Sequence, residues 1–237
     1  MRKFGLIGYP LGHSFSKKYF TEKFSREGIP DCLYENFPLT DISQLQELSA
    51  DPDLAGLNVT IPYKTAVLPF LGRIDPEAAA VGAVNVIKIN RYPDSIELRG
   101  FNSDIYGIAD TLKPVIHKEI RKALVLGTGG SSKAVCHVLT SMLIDFSLVS
   151  RQKKPGCLSY RDLDKHVLGS AGLIVNTTPL GMYPHTEGSP DINYDLLGVG
   201  GAEPDSDMVI SRYNGRDNRR SRLLGARRGL CPKGSNQ

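Results

Sequence analysis

The sequence predicts an α/β protein of two units, each built on a largely parallel sheet. Two observations carry that prediction. Short apolar runs alternate with amphipathic stretches through most of the chain, as when strands reach parallel neighbours by right-handed helical crossovers. The apolar run Leu124-Val125-Leu126 also passes into Gly127-Thr128-Gly129-Gly130 and then a helix start, a strand–turn–helix that marks a Rossmann-like second unit.

Taken in order, residues 3–7 read as a strand, and 16–27 as a helix with Tyr19, Phe20 and Phe24 on one face and Gly28 as its stop. A second strand covers 32–37. Asp41 caps a helix over 41–48, because its carboxylate can accept from the first free N–H groups. A third strand spans 55–61, and short helices span 62–71 and 76–80. Strands over 83–89 and 95–98 flank a turn at 90–94. The stretch 104–115 is a helix that begins with an acid, which suits the helix dipole. After a break within 101–120 come a strand over 122–126, a helix over 130–143, and strands over 146–150 and 173–176.

Length and composition bound the function. The 237 residues suffice for one large or two small cores, and 41% hydrophobic with 23% charged residues is ordinary for a soluble protein. No apolar run approaches the roughly 18 residues of a membrane span. Four scattered cysteines, without metal spacing or a C-x-x-C pair, suit a reduced, cytoplasmic setting. Five histidines show no metal spacing either, and His13 reads as a structural hydrogen-bonder. The net charge of +4 is confined to the last forty residues. Residues 1–197 hold 21 basic and 21 acidic side chains, whereas 198–237 hold eight and four. A basic tail can bind nucleic acid, but this one has a single aromatic, Tyr213, so that role is disfavoured.

Chemistry concentrates at strand ends. Asn58-Val59-Thr60-Ile61-Pro62-Tyr63-Lys64 ends a strand in polar groups and places a lysine on the next turn. Gly100-Phe101-Asn102-Ser103-Asp104 places a carboxylate where a strand gives way to a helix. An ammonium and a carboxylate held together form a proton-handling pair. Asn85 ends a further strand, and Ser14 and Ser16 sit where the first helix starts. Ser16 can cap that helix, and both hydroxyls can donate to a carboxylate. In the second unit the glycines of Gly127, Gly129 and Gly130, with Ser131, let a pyrophosphate approach the backbone at a helix N-terminus. The next strand ends in Ser150-Arg151-Gln152-Lys153-Lys154. An acid there would suit NAD; Arg151 suits the 2′-phosphate of NADP. Asn176-Thr177-Thr178-Pro179-Leu180-Gly181-Met182 has the polar groups and turn of a nucleotide-site mouth, giving Thr177 and Met182 as further cofactor candidates.

These stretches together resemble the shikimate dehydrogenase family, from the N-terminus to about Leu197. The resemblance rests on Gly8-Tyr9-Pro10 with His13-Ser14-Phe15-Ser16, the Asn58 and Gly100 stretches, Gly82-Ala83-Val84-Asn85, the Gly127 turn and the Asn176 stretch. It implies a mixed, mainly parallel sheet in a substrate domain over 1–101 and a Rossmann-like NADP-binding domain over 102–197. It further implies reversible NADPH-dependent reduction of 3-dehydroshikimate to shikimate, in aromatic amino-acid biosynthesis, by a monomer or homodimer. On that pattern Ser14 and Ser16 hold the substrate carboxylate, and Asn58, Thr60, Asn85 and Asp104 hold ring hydroxyls. Lys64 stands beside the reacting oxygen, paired with Asp104.

The chain departs from the family pattern in three places. Lys17 stands where proline is frequent. Ser150-Arg151-Gln152 replaces the usual N-R-T but keeps the arginine. After Leu197 the family pattern gives a D-x-x-Y-x-P strand and a helix with G-x-x-M-L-x-x-Q. Here Asp207-Met208-Val209-Ile210 is succeeded by an Arg- and Gly-rich stretch, so 198–237 reads as an atypical basic tail, aberrant or disordered. Two other readings stay open: a quinate/shikimate dehydrogenase using NAD or NADP, and a catalytically impaired ligand-binding homologue.

Overall fold

The computed structural model describes residues 1–12, 14–118, 120–181, 188–193, 196, 209–212 and 223–225. Met182, His13 and most of the 198–237 stretch lie outside the described residues. The chain divides into two compact units, Met1–Gly107 and Ile108–Gln237. No helix among the described residues is long and apolar enough to cross a membrane.

The first unit runs β1 (Arg2–Gly8), α1 (Ser16–Arg26), β2 (Cys32–Pro38), α2 (Leu45–Ser49), β3 (Leu54–Val59), α3 (Tyr63–Ala66), β4 (Arg73–Ile74), α4 (Pro76–Val81), β5 (Val86–Tyr92) and β6 (Ser95–Phe101). Its six-stranded sheet has the order β2-β1-β3-β5-β6-β4. β1 lies parallel to β2 and β3, whereas β5 is antiparallel to β3 and β6, so the sheet is mixed. Alternation along the strands sends neighbouring side chains to opposite faces. On one face Ile7, Leu57, Val59 and Ile87 pack with Leu45, Tyr63, Val67 and Ala78. On the other, Leu6 and Tyr34 pack with Phe4 and with Phe20 and Phe24 of α1.

The structure corrects several local expectations. Phe20 and Phe24, four residues apart, face the sheet, but Tyr19 lies a helical step round and is 54% exposed. Phe15 rather than Ser16 occupies the cap position of α1, with no side-chain cap. Asp41 does cap, through Ser43, but the element it caps is a 3₁₀ turn over Ile42–Gln44 that leads into α2. The helix expected over 62–71 stops after four residues and resumes as a 3₁₀ turn, Leu68–Phe70. Pro69 explains the break, since it has no N–H to continue the α-helical ladder. The β5–β6 turn is only Pro93-Asp94, because pairing continues out to Tyr92 and Ser95.

α5 (Asp104–Leu112) precedes β7 (Lys122–Leu126), α6 (Gly130–Ser141), β8 (Asp145–Ser150), β9 (Cys157–Ser159), α7 (Lys165–Gly169), β10 (Leu173–Asn176), β11 (Val209–Arg212) and β12 (Leu223–Gly225). The second sheet has the order β12-β11-β10-β7-β8-β9. It is parallel except for the β11–β12 pair, the arrangement expected of a Rossmann-like unit. Its central strands β7 and β10 are near-continuous apolar runs because both faces are covered: Ala123, Leu124, Val125, Leu173 and Ile174 are fully buried. β9 and α7 are absent from the sequence-based expectation, being too short to show a period. β11 and β12 fall in the stretch expected to be a disordered tail. Val209-Ile210, a β-branched pair, finds a parallel neighbour in β10.

Candidate active site

In the first unit the carboxylate and the ammonium meet. Lys64 Nζ donates to Asp104 Oδ2 at 2.7 Å, with 13% and 6% of the two side chains exposed. The backbone fixes both ends. α3 is pinned by its buried first residue, since Tyr63 Oη donates to the Leu39 carbonyl at 2.8 Å, and the Lys64 carbonyl accepts from Val84 N at 2.7 Å. Asp104 opens α5, and its N–H donates to Asn102 Oδ1 at 3.0 Å. Asn102 is itself buried and donates to the Ala83 carbonyl at 2.9 Å.

Asn85 completes this cluster. Its Nδ2 donates to Asp104 Oδ1 at 2.8 Å and to Ser103 Oγ at 3.0 Å, while its Oδ1 accepts from Ser103 N at 2.8 Å. Asp104 therefore has one oxygen on an ammonium and the other on an amide, so its carboxylate plane is held from both sides. A pair this enclosed can keep a cation in place without letting it swing into solvent.

β1 and β3 end side by side. Thr60 N donates to the Ile7 carbonyl and Tyr9 N to the Ile61 carbonyl, so the loop after β1 lies against the end of β3. Gly8 makes this possible: a Cβ there would stand 2.4 Å from Thr60 Cγ2. Asn58, near the end of β3, accepts from Tyr34 Oη at 2.8 Å. Ser14 and Ser16, both half-buried, adjoin the start of α1, where Ser14 Oγ accepts from Ser16 N at 3.3 Å.

The second unit carries the glycine turn. Gly127 has φ +111°, and a Cβ on it would stand 2.6 Å from Thr177 Oγ1. Thr177 sits over that glycine because its hydroxyl donates to the Leu126 carbonyl at 2.7 Å. Gly129 caps α6 with no side-chain hydrogen bond, and a Cβ on it would meet nothing within 4 Å. Open space before an uncapped helix of twelve residues fits a pyrophosphate. Ser131 lies in the first turn of α6. Ser150 is buried at the end of β8 and Arg151 is exposed beyond it. Asn176 closes the loop after β10, accepting from Thr178 N and donating to the Leu180 carbonyl.

Three contributors are given no role by the sequence. Lys154 Nζ donates to Thr128 Oγ1 at 3.2 Å, bringing a cation onto the glycine turn. The basic run after Ser150 is its only signal. Asn102 is visible as an Asn two residues before a helix-opening Asp. Tyr34 gives no signal, since its partner lies two strands away in the sheet.

Known proteins resemble this chain over most of its length. Residues 6–87 match the family model described as the shikimate dehydrogenase substrate binding domain. Shikimate dehydrogenase (NADP(+)) of Syntrophomonas wolfei is 32% identical over 218 residues, covering 82% of this chain and 72% of that protein. The crystal structure of shikimate dehydrogenase 1 from Peptoclostridium difficile superposes with a TM-score of 0.67 at 30% identity, over 92% of this chain and 79% of that one. Shikimate 5-dehydrogenase of Thermus thermophilus, solved in complex with NADP(H) and shikimate, gives 0.66 at 27% identity, over 83% and 75%. A mixed sheet within the matched substrate-binding region, a Rossmann-like second sheet and this degree of identity leave one conclusion: the chain belongs to the shikimate dehydrogenase family.

Proposed function

We propose that this chain catalyses the reversible, NADPH-dependent reduction of 3-dehydroshikimate to shikimate. The observation that carries the reading is the enclosed Lys64–Asp104 pair held by Asn85. Bound NADPH supplies a hydride to the substrate carbonyl carbon. Lys64 holds an N–H against the carbonyl oxygen, where negative charge accumulates, and gives up its proton as the alcohol forms. Asp104 keeps that ammonium aimed and accepts from a neighbouring ring hydroxyl. Asn58, Thr60 and Asn85 take the remaining hydroxyls, with Asn85 sharing the bonds it already makes to Asp104 and Ser103. Ser14 and Ser16 donate to the substrate carboxylate.

Gly127, Gly129, Gly130 and Ser131 would hold the pyrophosphate, with Ser150, Thr177 and Met182 around the same nucleotide. Arg151 and Lys154 would pair with the 2′-phosphate, and no acid stands at the end of β8 to favour a free ribose hydroxyl. We assign residues 1–101 to the substrate domain and 102–197 to the NADP domain. Free Cys32, Cys136 and Cys157 suit a reducing cytoplasm.

The test is the absorbance of NADPH during oxidation of shikimate or quinate with NADP or NAD. Turnover with shikimate and NADP in clear preference to the other three combinations is expected. Equal use of quinate or NAD would make the chain a quinate/shikimate dehydrogenase, and no turnover at saturating substrate would make it a ligand-binding homologue.

A further inference from the structure

We infer that Tyr34 is a positioning residue for substrate binding, acting through Asn58; the inference rests on the shikimate reading of the site. Tyr34 is 2% exposed, its ring stacked on Phe20 with centroids 4.5 Å apart and planes 14° from parallel. Phe4 and Leu6 of β1 separate β2 from β3, and the phenol reaches across that strand to Asn58 Oδ1 at 2.8 Å. A rigid, stacked ring thus carries a hydroxyl to one end of one amide.

The geometry matters because a terminal amide has a broad, two-fold torsion with no strong preference of its own. Asn58 makes no other side-chain hydrogen bond among the described residues. Both residues border an apolar groove of about 290 Å³, lined also by Phe4, Phe24 and Val86. Without the phenol the amide has room in that groove to turn. With the phenol on Oδ1, the Nδ2 hydrogens are the free end, so Asn58 presents donors. Its natural acceptor is a hydroxyl oxygen of a polyhydroxylated ring. A phenylalanine at position 34 would keep the ring stacked on Phe20 and remove the hydroxyl that Asn58 accepts from.

The experiment uses the full chain with Tyr34→Phe, Asn58→Ala and the double variant. Tyr34→Phe is expected to raise KM for shikimate roughly three- to tenfold, the worth of one hydrogen bond, with kcat and KM for NADP nearly unchanged. In the Asn58→Ala background the same change should add nothing. A fall in kcat with KM constant, or additive effects in the double variant, would overturn the inference. A second readout needs neither substrate nor cofactor. The Asn58 side-chain amide pair in a nitrogen–proton spectrum, identified by its loss in Asn58→Ala, should shift and exchange faster with solvent in Tyr34→Phe. If that pair does not move, the positioning role is wrong, whatever the kinetics. If it moves while the unaltered protein oxidises no shikimate, the functional reading fails and the Tyr34–Asn58 coupling stands.

Discussion

Lys64 and Asp104 show how much one residue can depend on the groups around it. Asp104 accepts from Lys64 and from Asn85 while its own backbone rests on Asn102. Removing the ammonium takes a close charged partner away from a buried carboxylate. Lys64→Ala should therefore do two separable things. It should cut kcat by roughly 10²–10⁴-fold, the range for a lost general acid, with a much smaller change in KM. It should also lower the melting temperature, since breaking a buried pair costs about 3–5 kcal/mol, a figure that Asn85 moderates here. Steady-state kinetics and a thermal melt on the same sample read both, and an unaltered kcat would remove Lys64 from the chemistry. These two residues are legible in the sequence because motif and chemistry coincide within a few positions. Tyr34 and Lys154 are not, because their meaning lies in partners 24 and 26 residues away that only the sheet brings near.

At the scale of elements, the strand–turn–helix β7–α6 separates two uses of glycine. Gly127 is required by its own backbone: φ +111° is a conformation side chains rarely adopt, and Thr177 Oγ1 already fills the space. Gly129 has an extended backbone and open space around it. Gly127→Ala should therefore destabilise the protein even without nucleotide, while Gly129→Ala should melt normally and bind NADP more weakly. Melts with and without NADP, together with calorimetric titration, distinguish them; a Gly129→Ala protein with full NADP affinity would move the pyrophosphate elsewhere. Charge at the end of β8 makes a parallel case. Arg151→Ala with Lys154→Ala should raise KM for NADP strongly and leave KM for NAD almost alone, because only the 2′-phosphate is lost as a partner. Regular elements such as β7 and β10 are legible to the residue from their apolar runs. β9, α7 and the broken 62–71 helix are not, because a three-residue strand has no measurable period and Pro69 interrupts only one turn.

For the molecule as a whole, the two sheets differ in what sequence can say about them. Parallel strands buried on both faces announce themselves as apolar runs, as β7 and β10 of the second sheet do. The mixed first sheet comes from the family resemblance rather than from periodicity, since a strand does not encode the direction of its neighbour. Both units share one vulnerability, to acid. In the first, hydrogen bonds from Ser43 hold the Asp41 carboxyl below its usual range, and Lys3 does the same for Asp51. In the second, Ser159 lowers Asp162 through its backbone and side chain. A depressed folded-state pKa means the unfolded chain binds the proton more readily. These contributions are therefore complete above the unfolded value, near 4, and are lost as pH falls through the lower folded values. Far-UV circular dichroism melts should be nearly flat from neutral pH down to about 5 and fall steeply below 4. Replacing Asp41 and Asp162 by Asn, whose amide oxygen can still accept these hydrogen bonds but cannot titrate, should shallow that acid limb without abolishing the fold. An acid limb of undiminished slope in the doubly substituted protein would show that other carboxylates set the molecule's response to pH.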